Sequence, residues 1–126
     1  DVYLSIDNLK EMQSEGMIIG SHTENHQVLS KLPKKIQKYE VENSFQFIES
    51  KIGFLDVKTF CYPYGGFHTF NNQTEEILYN YGCDFSFNVE QRDISQNDLV
   101  NRVHALPRFD YIGCHQDVTK NLAGFY

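Results

Sequence analysis

Segments of helical period alternate with short apolar runs along this chain, and that alternation limits the folds open to it more than any other feature. Ser5 is placed to cap a helix over residues 5–15, with Ile6, Leu9 and Met12 on one face and Gly16 as its stop. The apolar run 17–20 then reads as a buried strand. Pro33 opens a longer helix of about five turns, closed by Gly53, whose Val41, Phe45, Ile48 and Ile52 follow a core-facing stripe. Residues 57–62 read as a strand entering the loop Pro63-Tyr64-Gly65-Gly66. Asn71 or Asn72 caps a third helix that carries Ile77, Leu78 and Tyr81 and stops at Gly82. Phe85, Phe87 and Val89 alternate with Ser86 and Asn88 as a strand does. Residues 90–101 are polar and unpatterned, which predicts a surface loop, and 103–106 predict one more short strand closed by Pro107. No element is assigned to residues 108–126. Strands separated by helices form a parallel sheet, because a parallel crossover needs that length of chain, so the expected class is α/β.

At 126 residues with 40% hydrophobic content, the chain is expected to form a single domain with a real core. The net charge of -6 and the scatter of its 11 Lys and Arg argue against a nucleic-acid partner. Its apolar runs are too short to span a membrane, and no signal peptide is legible. Cys61, Cys83 and Cys114 are odd in number and contain no C-x-x-C, so neither a zinc ribbon nor a disulfide framework is indicated. They read as small buried apolar residues. Asn72-Gln73-Thr74 matches a glycosylation sequon, which has meaning only in a eukaryotic host.

The chemistry concentrates just after the first apolar run, at Ser21-His22-Thr23-Glu24-Asn25-His26. Two imidazoles four residues apart can share one face of a turn and offer two nitrogens to one metal. Loops leaving the C-terminal ends of parallel strands are where α/β proteins place their active residues. H-E-x-x-H is excluded because Thr23 follows His22, and H-x-x-E-H because Asn25 stands where Glu is needed. No G-x-S-x-G, P-loop or G-x-G-x-x-G is present. A second loop of the same kind, Tyr62-Pro63-Tyr64-Gly65, follows the next strand.

With these two loops in this order, the chain resembles the polysaccharide deacetylases, the carbohydrate esterase family built on the NodB homology domain. His22-Thr23-Glu24-Asn25-His26 is similar to that family's H-[ST]-x-x-H motif, and Tyr62-Pro63-Tyr64-Gly65 to its aromatic-Pro-Tyr-Gly loop. Phe85-Ser86-Phe87 and Leu106-Pro107-Arg108 look like its later strands. The resemblance implies a distorted (β/α) barrel that binds a divalent metal, usually zinc, through His22, His26 and an aspartate. It implies hydrolysis of an N-acetylated polysaccharide or oligosaccharide to release acetate, with an aspartate as base and the Tyr64 backbone N–H as oxyanion donor. The physical logic is sound on its own terms. A divalent metal polarises the carbonyl and acidifies water, and a Pro-Tyr-Gly turn can hold an N–H fixed where oxyanion charge develops. Thr23 is expected to brace the loop, and Tyr62, Pro63 and Phe67 to contact substrate, with His68 and Phe70 beside Phe67 at the rim. The resemblance also favours a cell-envelope or secreted setting.

The match has gaps. The family's first motif, which supplies the base and the third metal ligand, is expected upstream of Asp1, and a full barrel needs roughly 200 residues or more. Residues 1–126 are therefore expected to be one incomplete domain, the C-terminal portion of a longer deacetylase. Cys61 occupies the place where the third motif often carries an arginine, and Arg108 is expected to take over the role of orienting a carboxylate. The final Leu-x-His motif is absent, and His104 and His115 have the wrong neighbours for it. Two other readings stay open: a non-catalytic glycan-binding or scaffold domain derived from a deacetylase, and a cysteine hydrolase using Cys61 or Cys114 with His115.

Overall fold

The computed structural model describes residues 3–109, so Cys114 and His115 lie outside the described residues. Helix α1 (Ile6–Ser14) begins with a reciprocal cap. The Asn8 N–H donates to Ser5 Oγ at 3.1 Å, and the Ser5 N–H donates to Asn8 Oδ1 at 3.0 Å. A 3₁₀ turn (Leu29–Lys31) precedes helix α2 (Lys34–Ile52), which starts at Pro33 and ends at Gly53. Strand β1 (Thr59–Cys61), helix α3 (Asn72–Tyr81) and strand β2 (Phe85–Phe87) follow. The α3 cap is Asn71, paired reciprocally with Thr74, and the helix ends at Gly82 in a left-handed conformation, φ 90°.

The expected surface loop at 90–101 is corrected in its second half, where Gln96–Asn101 forms a short helix, α4. Its signal is local. Ser95 and Asp98 make the same reciprocal cap, while Leu99 and Val100 stay exposed and leave no apolar stripe to read.

The strands β1 and β2 pair in parallel, with Phe60 opposite Ser86. Single parallel bridges extend this pairing on both sides, Ser21 to Phe60 and Phe87 to Leu106. The expected strand at 103–106 is thus reduced to a one-residue bridge at Leu106, and the one at 17–20 does not form, the bridge on that side falling on Ser21. Met17 and Ile18, expected to be buried, are 55% and 61% exposed, because pairing on that side begins only at Ser21. The order Ser21, β1, β2, Leu106 is nonetheless that of a parallel α/β sheet. Every segment leaving it exits at the same edge.

Helix α2 packs against α1 and α3. Val41 and Phe45 of α2 are buried with Phe60 and Leu78, and Ile48, Ile52 and Tyr81 pack against this cluster. Tyr62 and Phe70 stack face to face, with ring centroids 3.8 Å apart and planes 5° from parallel. Helix α1 buries no residue completely, so its apolar face is only half covered. Among the described residues no helix is long and apolar enough to cross a membrane.

Candidate metal centre

Four loops meet at the common edge of the sheet. They begin at His22, Tyr62, Asn88 and Pro107, each just after a paired residue. Backbone bonds join them: the Val89 N–H donates to Gly65 O at 3.1 Å, and the Arg108 N–H to Glu90 O at 3.1 Å. A Cβ on Gly65 would collide with the Val89 side chain, and its φ of 79° also favours glycine. Two loops whose touching residues, Gly65 and Val89, are 24 positions apart in sequence thereby come into contact.

His22 Nδ1 lies 2.7 Å from the Cys61 carbonyl oxygen. A carbonyl can only accept, so Nδ1 carries the proton and Nε2 keeps a free lone pair. Packing around the ring is the largest influence on its basicity and lowers its pKa below the usual histidine value, with the charges of His26 and Arg108 acting in the same direction. The neutral form, which is the one able to bind a metal, is favoured. The His22 and His26 ring centroids are 4.7 Å apart at 64°, and the Tyr64 ring stands 4.9 Å beyond His26.

The backbone here is unusual. Among the described residues the only non-glycine positions with positive φ are Thr23 (71°), His26 (54°) and Tyr64 (66°), all at this site. Such conformations persist only when their surroundings over-determine them, and they cluster where function requires a fixed geometry. Thr23 Oγ1 accepts the His26 N–H at 2.9 Å and so ties the loop to itself. The Tyr64 N–H has no hydrogen-bond partner among the described residues and remains available as a donor.

The two imidazoles fit a borderline divalent ion such as zinc: one ring is oriented by a carbonyl, and both lie at the mouth of the same loop. Among the described residues no third His, Cys, Asp or Glu joins them in a cluster able to hold a metal. Beside His22 and Thr23 a hollow of about 350 Å³ opens, walled by Ser44, Phe47 and Ile48 of α2. Arg108 reaches the same edge, and its Nε is buried without a hydrogen-bond partner among the described residues.

Several expected contacts are corrected. Tyr62 is fully buried, its ring stacked on Phe70 and its hydroxyl donating to His104 O at 2.6 Å, so its side chain cannot meet substrate. Burial pushes its phenol pKa well above the ordinary value. Pro63 and Phe70 are likewise buried. The Pro-Tyr turn directs Tyr64 outward and these neighbours inward. Phe67 and His68 remain exposed at the rim. His104 is buried against Ser86 Oγ at 2.9 Å, a structural position. Cys61 enters the site through its backbone carbonyl. Burial raises the Cys83 thiol pKa to about 11, the opposite of an activated nucleophile.

One residue was missed. Glu40, 2% exposed on the inner face of α2, accepts the Asn25 backbone N–H at 2.8 Å and the Asn25 amide Nδ2 at 2.6 Å. Its place beside Val41 and three turns of core positions was a signal, since a carboxylate on a buried stripe needs a partner.

The fold is that of a partial barrel of the NodB deacetylase type, with its loops gathered at one edge of a parallel sheet. The chain belongs to the polysaccharide deacetylase family, whose sequence profile matches residues 5–86. Among solved structures it is similar to the Streptococcus pyogenes deacetylase PplD in complex with acetate. The TM-score is 0.73 and the identity 23%, over 84% of this chain and 44% of that one. It is also similar to the BpsB deacetylase domain of Bordetella bronchiseptica, with a TM-score of 0.68 and 16% identity over 86% and 49% of the two chains. At these identities the likeness concerns the fold, and the chain spans less than half the length of either structure. Among curated proteins none matches it by sequence.

Proposed function

We propose that this chain contributes the metal-binding and oxyanion-stabilising part of a metal-dependent deacetylase acting on an N-acetylated glycan. The observation that carries this is the convergence of His22, His26 and the Tyr64 turn at one edge of the sheet, with His22 Nε2 left free by the Cys61 carbonyl. His22 and His26 would hold a divalent ion, most naturally zinc. When bound, that ion supplies Lewis-acid polarisation of the acetamide carbonyl and acidifies water at neutral pH. The Tyr64 N–H offers a fixed donor where negative charge develops on the carbonyl oxygen. Phe67, exposed at the rim, presents an apolar face to a sugar ring. Arg108 would orient a carboxylate, a role supported by its buried Nε beside the histidine loop, which has no partner among the described residues.

The test uses the full-length protein and an N-acetylglucosamine oligosaccharide, with acetate release followed as zinc is removed and restored. Zinc-dependent release that disappears in His22→Ala is expected. Zinc binding without release from any N-acetylated glycan would instead indicate a binding module. Arg108→Ala is expected to lower kcat at least about tenfold, the scale of outer contacts that orient site groups. Normal turnover in that variant would refute the Arg108 role.

A further inference from the structure

We propose that Glu40 is a positioning residue that fixes the two-histidine loop through Asn25, a role that rests on reading His22 and His26 as metal ligands. The inner face of α2 carries three buried polar side chains, Gln37, Glu40 and Ser44. Each is bonded to a different part of the fold. Among the described residues Gln37 bonds to Thr74 of α3 and to the Leu32 carbonyl, Ser44 to Ser21, and Glu40 to Asn25 alone. Among the described residues Glu40 forms no ion pair with any Lys, Arg or His. Both carboxylate oxygens are therefore committed to one residue, and charge-assisted bonds of this kind are the stronger ones.

That residue stands between the two strained positions of the loop. Thr23 and His26 both have positive φ, and the Thr23–His26 bond is internal to the loop, so it cannot fix the loop against the sheet. Anchors to other elements must do so. His22 is tied to β1 through the Cys61 carbonyl. For His26 the nearest such anchor is its chain neighbour Asn25, held to α2 by two bonds at 2.8 and 2.6 Å. The separation of the two imidazoles is thus set by β1 on one side and α2 on the other. Removing Glu40 frees one side only.

The experiment measures zinc affinity by competition with a chromophoric chelator in the full-length protein, together with the d–d spectrum of the cobalt-substituted protein. Glu40→Ala is expected to weaken zinc binding about tenfold and to alter the cobalt spectrum, as loss of an outer orienting contact does. Asn25→Ala should weaken it less, because the backbone N–H bond survives. The double variant should match Glu40→Ala to within about twofold, since residues acting through one contact are not additive. Glu40→Gln should keep affinity within about threefold: the Asn25 amide can turn over to accept from the new NH₂, which restores both bonds. A plain loss of negative charge near the metal would leave Gln as poor as Ala. Unchanged affinity in Glu40→Ala, or additive losses in the double variant, would overturn the proposal. Should Glu40→Ala not fold, Asn25→Ala decides, because Asn25 is exposed and its replacement leaves the core intact; unchanged affinity there overturns the role as well. A folded wild type that binds no zinc would instead overturn the metal-ligand reading, and this role with it.

Discussion

Removing the Tyr62 hydroxyl separates a core residue from a substrate contact. The ring is fully buried and lies flat on Phe70, and its one polar atom donates to the His104 carbonyl at 2.6 Å. Tyr62→Phe keeps the ring, the stack and the volume, and deletes only that bond. The carbonyl of His104 is then left buried beside a hydrocarbon edge, and an orphaned acceptor of this kind costs about 1–3 kcal/mol. Because the tyrosine hydroxyl no longer has to be buried, the lower half of that range applies, about 1.5 kcal/mol. For a chain of this size that corresponds to a fall in Tm of roughly 5 °C. Tyr62→Ala also empties the space against Phe70 and Phe60, which adds a cavity cost on the order of 3–5 kcal/mol. Urea unfolding followed by circular dichroism reads both changes as shifts in midpoint at constant slope. Glycan affinity should be unaffected in Tyr62→Phe. A variant with an unshifted midpoint and weakened glycan binding would refute this account and return Tyr62 to the binding surface.

Gly20→Ala would set a Cβ against Thr59, within 2.9 Å of its backbone oxygen, at the point where the histidine segment joins β1. Backbone cannot yield as a side-chain tip can, so a loss of about 1–3 kcal/mol is expected with weaker zinc binding, and wild-type Tm would contradict the close approach. Asp98 accepts from both Arg92 terminal nitrogens, at 2.7 and 2.8 Å, and from Ser95, and the Arg92 bonds first and those of Ser95 second hold its pKa well below the ordinary value. A depressed carboxylate stabilises the fold fully above its unfolded pKa of about 4 and loses that contribution as pH falls toward the folded value. The Tm gap between wild type and Asp98→Asn should therefore be widest above about pH 5 and close on acidification, and a gap independent of pH would exclude the ion pair as its source.

Helices α1, α2 and α3 were legible because each carries its own start and stop. Ser5, Asn71 and Gly82 act within a few residues of where they stand, so no distant partner has to be known. The outer strands were not legible in the same way. Residues 17–20 are as apolar as a central strand, yet burial depends on a neighbour that the sequence of the segment does not specify, and Met17 and Ile18 are exposed. Helix α4 was hidden for the converse reason: its cap is clear, but it buries only Asp98 and has no periodic stripe.

At the site, the two motifs could be found as strings, and their meeting could be argued only through parallel pairing. Ser21 beside Phe60, and Cys61 beside Phe87, place both loop origins at one edge, which brings Tyr64 to His26. The residues that hold this arrangement were harder to see. Along α2, Val41 and Phe45 announce a buried face, while Gln37, Glu40 and Ser44 on that same face look solvent-facing by residue type. A helix whose only task was to cover a sheet would have no use for them, since an apolar residue is less costly to bury. Apolar contact is also non-directional, and a loop carrying two left-handed residues needs contacts that fix direction as well as distance. Glu40 and Ser44 of this inward stripe, bonded to Asn25 and Ser21, therefore serve the histidine segment, while Gln37 ties α2 to Leu32 and to Thr74 of α3.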